Sequence, residues 1–245
     1  MLQETRGGGH PDYGLDAPGL VYSFLIGGTA LLGLGLAMTA WGAGPLAVIG
    51  WFVILSGGIL LVEGLWMVFS SRYGKLRMRD LLLDRLDLRG DEVVLDVGCG
   101  HGLLLIGAAK RLPHGRAVGL DLWSQKDQAD NRKEATLANA RAEGVAGRVE
   151  VHDGDMRRMP FASASFDAVV ASLSIHNIPS QDGRRDAIYE IVRVLKPGGK
   201  VALLDFQHVA QYAEDLRRAG MHHVQLSGLS FWMFPPVRIV TAIKP

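Results

Sequence analysis

The feature that most constrains the fold of this 245-residue chain is segment 20–71, whose single ionisable acid or base is Glu63. The rest of the chain is rich in charges of both signs. The segment contains two apolar runs, 20–41 and 46–70, and each can cross a hydrocarbon core of about 30 Å at about 1.5 Å per residue. Only four residues separate them, so an antiparallel transmembrane hairpin is predicted. A cleaved signal peptide is the alternative, but the run is doubled and its N-terminal flank is more acidic than basic.

Glycine spacing suggests how the two helices pack. Glycines recur every seven residues: Gly28 and Gly35 in the first run with Gly42 just after it, and Gly50, Gly57 and Gly64 in the second run. Small residues allow helix backbones to approach closely in lipid. We therefore expect a glycine seam that pairs 28 with 64, 35 with 57 and 42 with 50. The alternative is that glycine is simply common in membrane helices.

Basic residues predict the orientation of the hairpin. Arg72, Lys75, Arg77 and Arg79 follow the second run, whereas the connecting turn has no charge. The positive-inside rule places both termini in the cytoplasm, in a multi-pass membrane protein of two helices. Glu63 lies near this inner end, where it can snorkel or pair.

The predicted organisation has four parts. They are an N-terminal cytoplasmic segment (1–19), a transmembrane hairpin (20–71), an amphipathic linker helix (72–90) and a soluble catalytic domain (91–245). The net charge of +1 provides no basic field for nucleic acid. The lone cysteine, Cys99, excludes an intramolecular disulfide and any multi-cysteine metal site, and no metal is expected.

The soluble part alternates strand and helix patterns. Strands are predicted at 93–97, 117–120, 149–152, 166–172, 200–204, near 224 and at 237–243, and helices at 103–112, 133–143, 184–195 and 209–219. Residues 196–199 are predicted to form a turn. This alternation predicts an α/β, doubly wound and mostly parallel sheet, with its last two strands forming an antiparallel C-terminal edge.

The strongest motif runs from Asp96 to Gly102 and reads D-V-G-C-G-H-G. Glycines at a strand-to-helix turn allow a ligand to approach the backbone. The dinucleotide pattern requires glycine at 103, where this chain has Leu103. An acid beside the loop repels a pyrophosphate but suits a ligand that carries an ammonium and a sulfonium, which favours S-adenosylmethionine over NAD. A tight turn without a ligand is the alternative.

Five motifs in order resemble the class I (Rossmann-like) S-adenosylmethionine-dependent methyltransferases, over roughly 73–243. They are 96–102, Asp121 about 20 residues later, 152–156 (H-D-G-D-M), 166–170 (F-D-A-V-V) and 193–199 (R-V-L-K-P-G-G). The overall pattern is nearest the ubiquinone/menaquinone-type small-molecule enzymes. The resemblance implies these cofactor contacts: Asp96, Gly98, Cys99, Gly100, Gly102, Asp121, Leu122, Asp155, Met156 and Ser172.

The resemblance also implies that 171–179 passes beside the transferable methyl group. His176 is therefore a candidate general base or substrate contact, and a packing or loop-capping role is the alternative. Predicted substrate contacts are Asn177, Trp123, Asn131 and Tyr73. The apolar stretch 231–236 is expected either to line a hydrophobic pocket or to touch lipid.

These features predict a membrane-anchored methyltransferase that acts on a small, lipophilic acceptor. Its expected partners are that acceptor and membrane lipid, with homo-oligomers through the transmembrane helices as a further option. A membrane-bound sensor or scaffold that binds the cofactor without chemistry is the main alternative, and a nicotinamide oxidoreductase is another. The absence of an N-P-P-Y or D-P-P-Y tetrad after 172 disfavours adenine-N6 and glutamine-amide methylation.

Overall fold

The computed structural model describes residues 11–123 and 132–245, which form two compact units. One unit is a helical hairpin that comprises Leu15–Lys75 and Trp232–Phe234. The other is an α/β domain that comprises 11–14, Leu76–Phe231 and Pro235–Pro245. The predicted four-part division stays a prediction.

The hairpin is built from α1 (Pro18–Trp41) and α2 (Pro45–Phe69), each with a proline in its first turn. Proline is favoured there because the first N–H groups of a helix have no intrahelical partner. By length and composition, both helices can cross a membrane. A π-helical turn, Ser70–Gly74, leads directly into α3 (Lys75–Asp84). The helix predicted over 72–90 therefore ends early and is continuous with α2.

The glycines form the predicted seam, but in another register. A Cβ atom built on Gly57 would lie 2.8 Å from the carbonyl oxygen of Gly28, and one on Gly35 would lie 2.8 Å from that of Gly50. The predicted pairs 28–64 and 35–57 are therefore wrong by one heptad. The reason is the turn, which is centred near Ala43 between the two helices and sets which residues lie at equal depth.

Polar side chains join the two ends of the hairpin. Ser71 Oγ accepts a hydrogen bond from Asp16 N at 3.1 Å and lies 3.2 Å from Asp16 Oδ2. Lys75 Nζ forms an ion pair with Asp16 Oδ1 at 3.3 Å. The Lys75 side chain is 7% exposed, so the acid neutralises a buried ammonium.

The α/β domain contains a seven-stranded sheet in the order β3-β2-β1-β4-β5-β7-β6. Its strands are β1 (Val93–Val97), β2 (Arg116–Asp121), β3 (Val149–Asp153), β4 (Phe166–Ser172), β5 (Leu195–Asp205), β6 (His222–Leu226) and β7 (Arg238–Ile243). The first five are parallel, and β7 and β6 are antiparallel. The predicted fold class is confirmed, including the antiparallel C-terminal edge.

Four further helices connect the strands: α4 (Leu103–Arg111), α5 (Lys133–Ala142), α6 (Gln181–Val194) and α7 (Val209–Arg218). Helix α6 begins before the predicted 184, because Ser180 Oγ caps it by accepting from Gly183 N at 3.1 Å. One buried cluster combines apolar residues of β1, β4 and β5 with those of α6 and α7. Because β1 to β5 are parallel, their carboxyl ends meet at one edge of the sheet.

The predicted turn at 196–199 is wrong. These residues belong to β5, whose pairing with β4 shifts register between Phe166–Leu195 and Ala168–Lys200. The extra residues form an irregularity within the strand, with Gly198 at a φ of 75°. The sequence indicated a break in the β pattern, but only the pairing partner could show that the strand continues through it.

The seam predicts that Gly57→Ala will destabilise the hairpin, because the new methyl group would meet the backbone of α1. Thermal denaturation of the full chain in detergent measures the effect. Gly58→Ala is the matched control, since a Cβ there meets nothing within 4 Å and alanine favours the helix by up to about 1 kcal/mol. Equal melting temperatures for the two variants would contradict the seam.

Candidate active site

The glycine loop after β1 exposes backbone at the carboxyl edge of the sheet. Gly98, Gly100 and Gly102 have φ angles of 73°, 48° and 85°, which residues with a side chain rarely adopt. The amides of Gly98 and Cys99 donate to Leu120 O at 2.7 and 3.2 Å, which attaches the loop to the end of β2. A Cβ on Gly98 would collide with Ser174. Both conformation and close packing therefore require glycine at this position.

Asp121, the last residue of β2, is oriented by two backbone amides. Gly100 N donates to Oδ2 at 2.8 Å, and Trp123 N donates to Oδ1 at 2.7 Å. Asp121 is therefore held rigidly beside the loop, in the position predicted from its spacing.

Asp96 lies beneath the loop. It is 2% exposed, and its Oδ2 accepts from Leu105 N, in the first turn of α4, at 2.8 Å. Burial raises its pKa to about 8 and the charge of Asp121 adds to this, while the bond from Leu105 opposes it. The carboxyl group therefore stabilises the strand-to-helix turn from within the protein.

Cys99 contributes backbone rather than thiol to the site. Its side chain is 6% exposed and packs against Gly119, where a Cβ would lie 2.7 Å from the sulfur. Burial raises the pKa of the thiol well above its usual value, and the charges of Asp96 and Asp121 raise it further. A buried, protonated thiol is a poor nucleophile.

Trp123 is fixed over the ends of β2 and β3. Its backbone has a φ of 57°, and its indole Nε1 donates to Asp153 Oδ1 at 2.6 Å. Leu122 is 61% exposed beside it. Asn131, predicted as a substrate contact, lies outside the described residues. Asp153 ends β3 and positions this indole.

The motif after β3 contains one residue near the loop and one engaged elsewhere. Met156 Cε would lie 3.4 Å from a Cβ on Gly98, so its side chain lies beside the glycine loop. Asp155 forms an ion pair with Arg157, with contacts of 2.6 to 3.0 Å, and this pairing lowers its pKa. Asp155 can therefore bind another ligand only if it shares or releases Arg157.

The segment after β4 brings the predicted substrate residues to the same edge. Ser172 ends the strand, and Ser174 Oγ donates to Val97 O at 2.8 Å, beside the glycine loop. His176 and Asn177 follow in a short 3-10 turn, Ile175–Asn177. The His176 side chain is 16% exposed, whereas Asn177 is exposed.

Sequence reasoning missed Asp205 and Asn139. Asp205 ends β5, is 1% exposed, and has Oδ1 at 2.8 Å from His176 Nδ1. Asn139 exchanges two hydrogen bonds with the backbone of Asp12 and donates to His101 O in the glycine loop at 3.0 Å. The position of Asp205 at the end of a parallel strand was an available signal. Nothing in the sequence pointed to Asn139.

Two further predicted features make other contacts. Tyr73 belongs to the hairpin unit, in its π-helical turn, 5.9 Å from the ring of Phe69. In the 193–199 motif, Arg193 holds the carbonyls of Met159 and Phe161, and Lys196 pairs with Asp167. The contacts of this motif therefore stabilise the fold, and they are not made at the carboxyl edge of the sheet.

The same residues can be compared with known proteins. The family described as "Methyltransferase domain" matches residues 94–199. The chain is 32% identical over 130 residues to demethylmenaquinone methyltransferase of Lactobacillus johnsonii, covering 52% of this chain and 49% of that protein. It is 31% identical over 159 residues to the ubiquinone/menaquinone biosynthesis C-methyltransferase UbiE of Dinoroseobacter shibae, covering 61% and 60%.

Comparison with solved structures shows the same fold. A solved S-adenosylmethionine-dependent methyltransferase from Aquifex aeolicus aligns with a TM-score of 0.55 and 18% identity, covering 70% of this chain and 92% of that one. The α/β domain therefore resembles the class I S-adenosylmethionine-dependent methyltransferases in sequence over 94–199 and in fold. The comparisons support the predicted family, enzyme class and cofactor. The chain spans about half to three-fifths of the length of the two curated relatives.

The residues at the carboxyl edge of the methyltransferase domain fit S-adenosylmethionine. The loop from Gly98 to Gly102 presents bare backbone in conformations that side chains would block. Asp121 lies at this edge with its carboxylate oriented by Gly100 N, and the Trp123 indole offers an aromatic face. Together they match a ligand that combines an amino acid, a ribose and an adenine.

The raised pKa of Asp96 predicts a pH-dependent stability. The folded protein holds this proton up to about pH 8, whereas the unfolded chain releases it near the ordinary value of 3.8. The stabilisation that Asp96 provides is therefore fully present below its pKa in the unfolded chain. It is lost as the pH rises through its pKa in the folded protein. The test is thermal denaturation at several pH values. Asp96→Asn cannot ionise, so its melting temperature should rise relative to that of the parent between about pH 4 and about pH 8.

Asp167→Asn is the control for this measurement. Its pairing with Lys196 lowers the pKa of Asp167, despite partial burial, so this carboxyl stays charged through the same range. The difference between Asp167→Asn and the parent should not change from about pH 5 to about pH 8. A constant difference for Asp96→Asn as well would contradict the assignment of a buried, neutral acid.

Proposed function

We propose that this protein is a membrane-anchored enzyme that transfers a methyl group from S-adenosylmethionine to a small, lipophilic acceptor. The observation that carries the proposal is the glycine loop with Asp121 bonded to Gly100 N at the same edge as His176. This arrangement provides a cofactor cradle and a polar side chain suited to an acceptor. The non-catalytic alternative has no observation in its favour.

The apolar surface of the hairpin supports the membrane anchor. Outward side chains of α1 and α2 are largely exposed: Ile26 by 69%, Trp41 by 88%, Trp51 by 66% and Phe52 by 66%. A soluble protein rarely exposes such a continuous apolar surface. Lipid is the solvent that would cover it. An enzyme held at the bilayer has direct access to acceptors dissolved in it.

The names of the relatives support the acceptor class. The Lactobacillus johnsonii protein is named for demethylmenaquinone and the Dinoroseobacter shibae protein for ubiquinone and menaquinone biosynthesis. Both names refer to quinones, which are lipophilic. We therefore propose a quinone or a similarly lipophilic molecule as the acceptor of this chain.

The proposed roles follow from position. The backbone of 98–102 holds the methionine part of the cofactor, Asp121 the ribose hydroxyls, and Trp123 with Asp155 and Met156 the adenine. When bound, the cofactor supplies an electrophilic methyl on a positively charged sulfur. His176 and Asn177 orient the acceptor, because methyl transfer requires nucleophile, carbon and sulfur in line.

Methyl transfer tests this function. Full-length protein in detergent, given S-adenosylmethionine labelled in its methyl group and demethylmenaquinone or a membrane lipid extract, should transfer label to the organic phase. Asp121→Ala should weaken S-adenosylhomocysteine binding in calorimetry, because the oriented acceptors are lost. Asp167→Ala, at the opposite edge, is the control for binding. Cofactor binding without any labelled product would favour the non-catalytic alternative.

Cysteine labelling tests the proposed topology, with both termini and the methyltransferase domain in the cytoplasm. The native Cys99 is buried, so it contributes little background. An Ala43→Cys variant, in the exposed turn between α1 and α2, should react with a membrane-impermeant maleimide in intact cells. A Gly228→Cys variant should react only after permeabilisation. The opposite pattern would reverse the orientation.

A further inference from the structure

A short segment near the N-terminus lies against the α/β domain beside the glycine loop. Residues 12–14, which we call the strap, belong to this domain, although α1, the next helix along the chain, belongs to the hairpin. Asp12 Oδ1 accepts a hydrogen bond from Gly14 N at 2.8 Å, which folds the strap into an Asx turn. Gly14 has a φ of 72°, a conformation that favours glycine. The strap is therefore a defined turn.

Asn139 of α5 binds the backbone of the strap. Its Oδ1 accepts from Asp12 N at 2.9 Å, and its Nδ2 donates to Asp12 O at 2.8 Å. The amide group thus pairs with both polar backbone groups of one residue, as an opposite residue does in an antiparallel sheet. Such pairing requires a donor and an acceptor on the same side chain, which an asparagine amide provides.

The same amide group also binds the glycine loop. Asn139 Nδ2 donates to His101 O at 3.0 Å, and His101 lies between Gly100 and Gly102. Asn139 is 6% exposed and His101 is 8% exposed, so this bond is shielded from water. A buried acceptor that loses its donor is costly, because water does not replace the bond. One buried side chain therefore connects the strap, α5 and the loop.

A neighbouring side chain of α5 holds the loop at the preceding carbonyl. Thr136 Oγ1 donates to Gly100 O at 2.5 Å, and Thr136 is fully buried. Thr136 and Asn139 are three residues apart, so they share one face of the helix. Helix α5 therefore fixes two consecutive carbonyls of the loop, those of Gly100 and His101. Of the two side chains, Asn139 is the one that also binds the strap.

Two further contacts fix the strap. Tyr13 Oη donates to Glu143 Oε1 at 3.1 Å, and Lys110 Nζ pairs with Glu143 Oε2. Burial raises the pKa of Tyr13 above its usual value, and the charge of Glu143 raises it further, so the hydroxyl stays a donor. A Cβ on Gly14 would lie 3.6 Å from His101 Nδ1, at van der Waals distance. The strap is therefore attached to the end of α5 and passes beside a side chain of the loop.

We propose that the strap is part of the cofactor site, and that Asn139 is a positioning residue that holds the glycine loop in the conformation that binds S-adenosylmethionine. This proposal rests on the proposed function, which assigns the loop to the cofactor. The three glycines of the loop have many accessible conformations when they are unrestrained. Fixing them before the ligand arrives lowers the entropy lost on binding, which increases affinity. The strap and Asn139 therefore act on cofactor affinity and not on the chemical step.

The kinetics of methyl transfer distinguish this role from general support of the fold. Loss of fold support lowers the fraction of active enzyme, which reduces the maximal rate and leaves the KM for S-adenosylmethionine unchanged. A looser glycine loop instead raises this KM and leaves the rate at saturating cofactor close to that of the parent. The division of an effect between KM and maximal rate therefore identifies a positioning role.

Asn139→Ala is the first test, in full-length protein in detergent. Calorimetry should show S-adenosylhomocysteine binding weakened by about 10-fold, because the loop loses one buried hydrogen bond and the strap loses its attachment. The KM for S-adenosylmethionine should rise by a similar factor, measured as label transferred to demethylmenaquinone or to a membrane lipid extract. The rate at saturating cofactor should stay close to the parental one. Arg141→Ala, at an exposed position of α5, is the control and should keep the parental affinity.

The Asx turn gives a second test that leaves α5 intact. Asp12→Ala removes the acceptor of Gly14 N, so it should loosen the strap and weaken S-adenosylhomocysteine binding, by less than Asn139→Ala does. Asp12→Asn keeps an acceptor oxygen on a side chain of the same length and should restore the parental affinity. Asp12 is exposed, so neither substitution disturbs the core. This pair decides the proposal if Asn139→Ala fails to fold.

Binding of S-adenosylhomocysteine to the parent separates the two levels of failure. A parent that does not bind it would remove the proposed function itself. A parent that binds it, together with parental affinity in both Asn139→Ala and Asp12→Ala, would overturn only the role of the strap. A reduced maximal rate with an unchanged KM for S-adenosylmethionine in Asn139→Ala would overturn that role as well, because it would indicate support of the fold alone.

Discussion

The carbonyl oxygen of Leu120 receives hydrogen bonds from the amides of Gly98 and Cys99, and the active edge of the domain is organised around this attachment. It fixes the end of β1 to the end of β2, which forces the chain into left-handed conformations that only glycine adopts freely. Gly100 N then reaches Asp121, so the same turn orients the acid. Backbone geometry and ligand chemistry are thus set by one contact between neighbouring strands.

Burial beneath this edge distinguishes its two acids. Asp96 and Asp121 belong to the same motif region, but Asp96 is enclosed, with its pKa raised to about 8, whereas Asp121 is partly exposed. A buried carboxyl near a second acid keeps its proton because ionisation is penalised twice. Asp96 therefore supports the turn from within, whereas Asp121 stays at the surface of the edge. Asp205 adds a third case, a buried acid surrounded by donors.

The hairpin follows a different physical rule from the domain it precedes. The domain buries apolar side chains between sheet and helices, whereas the hairpin buries mainly glycine backbone and leaves its large apolar side chains outward. Close approach of the two helix backbones at the glycines is therefore the main source of contact within the hairpin. The two units are held together internally by different interactions, although one chain encodes both.

Much of this protein could be predicted from local sequence. The two apolar runs, the strand-and-helix alternation, the glycine loop and Asp121 each depend on residues close in the chain, and the structure places each where its pattern indicated. Spacing fixes such features because helix rise and strand geometry are constant.

The remaining features were decided by tertiary structure. The pairing of Gly28 with Gly57 depends on where the turn is centred, and the passage of β5 through Gly198 depends on its register with β4. The contact between His176 and Asp205 joins residues from two strand ends that no local pattern links. Sequence periodicity defines faces and elements, but only packing between distant segments determines which atoms meet.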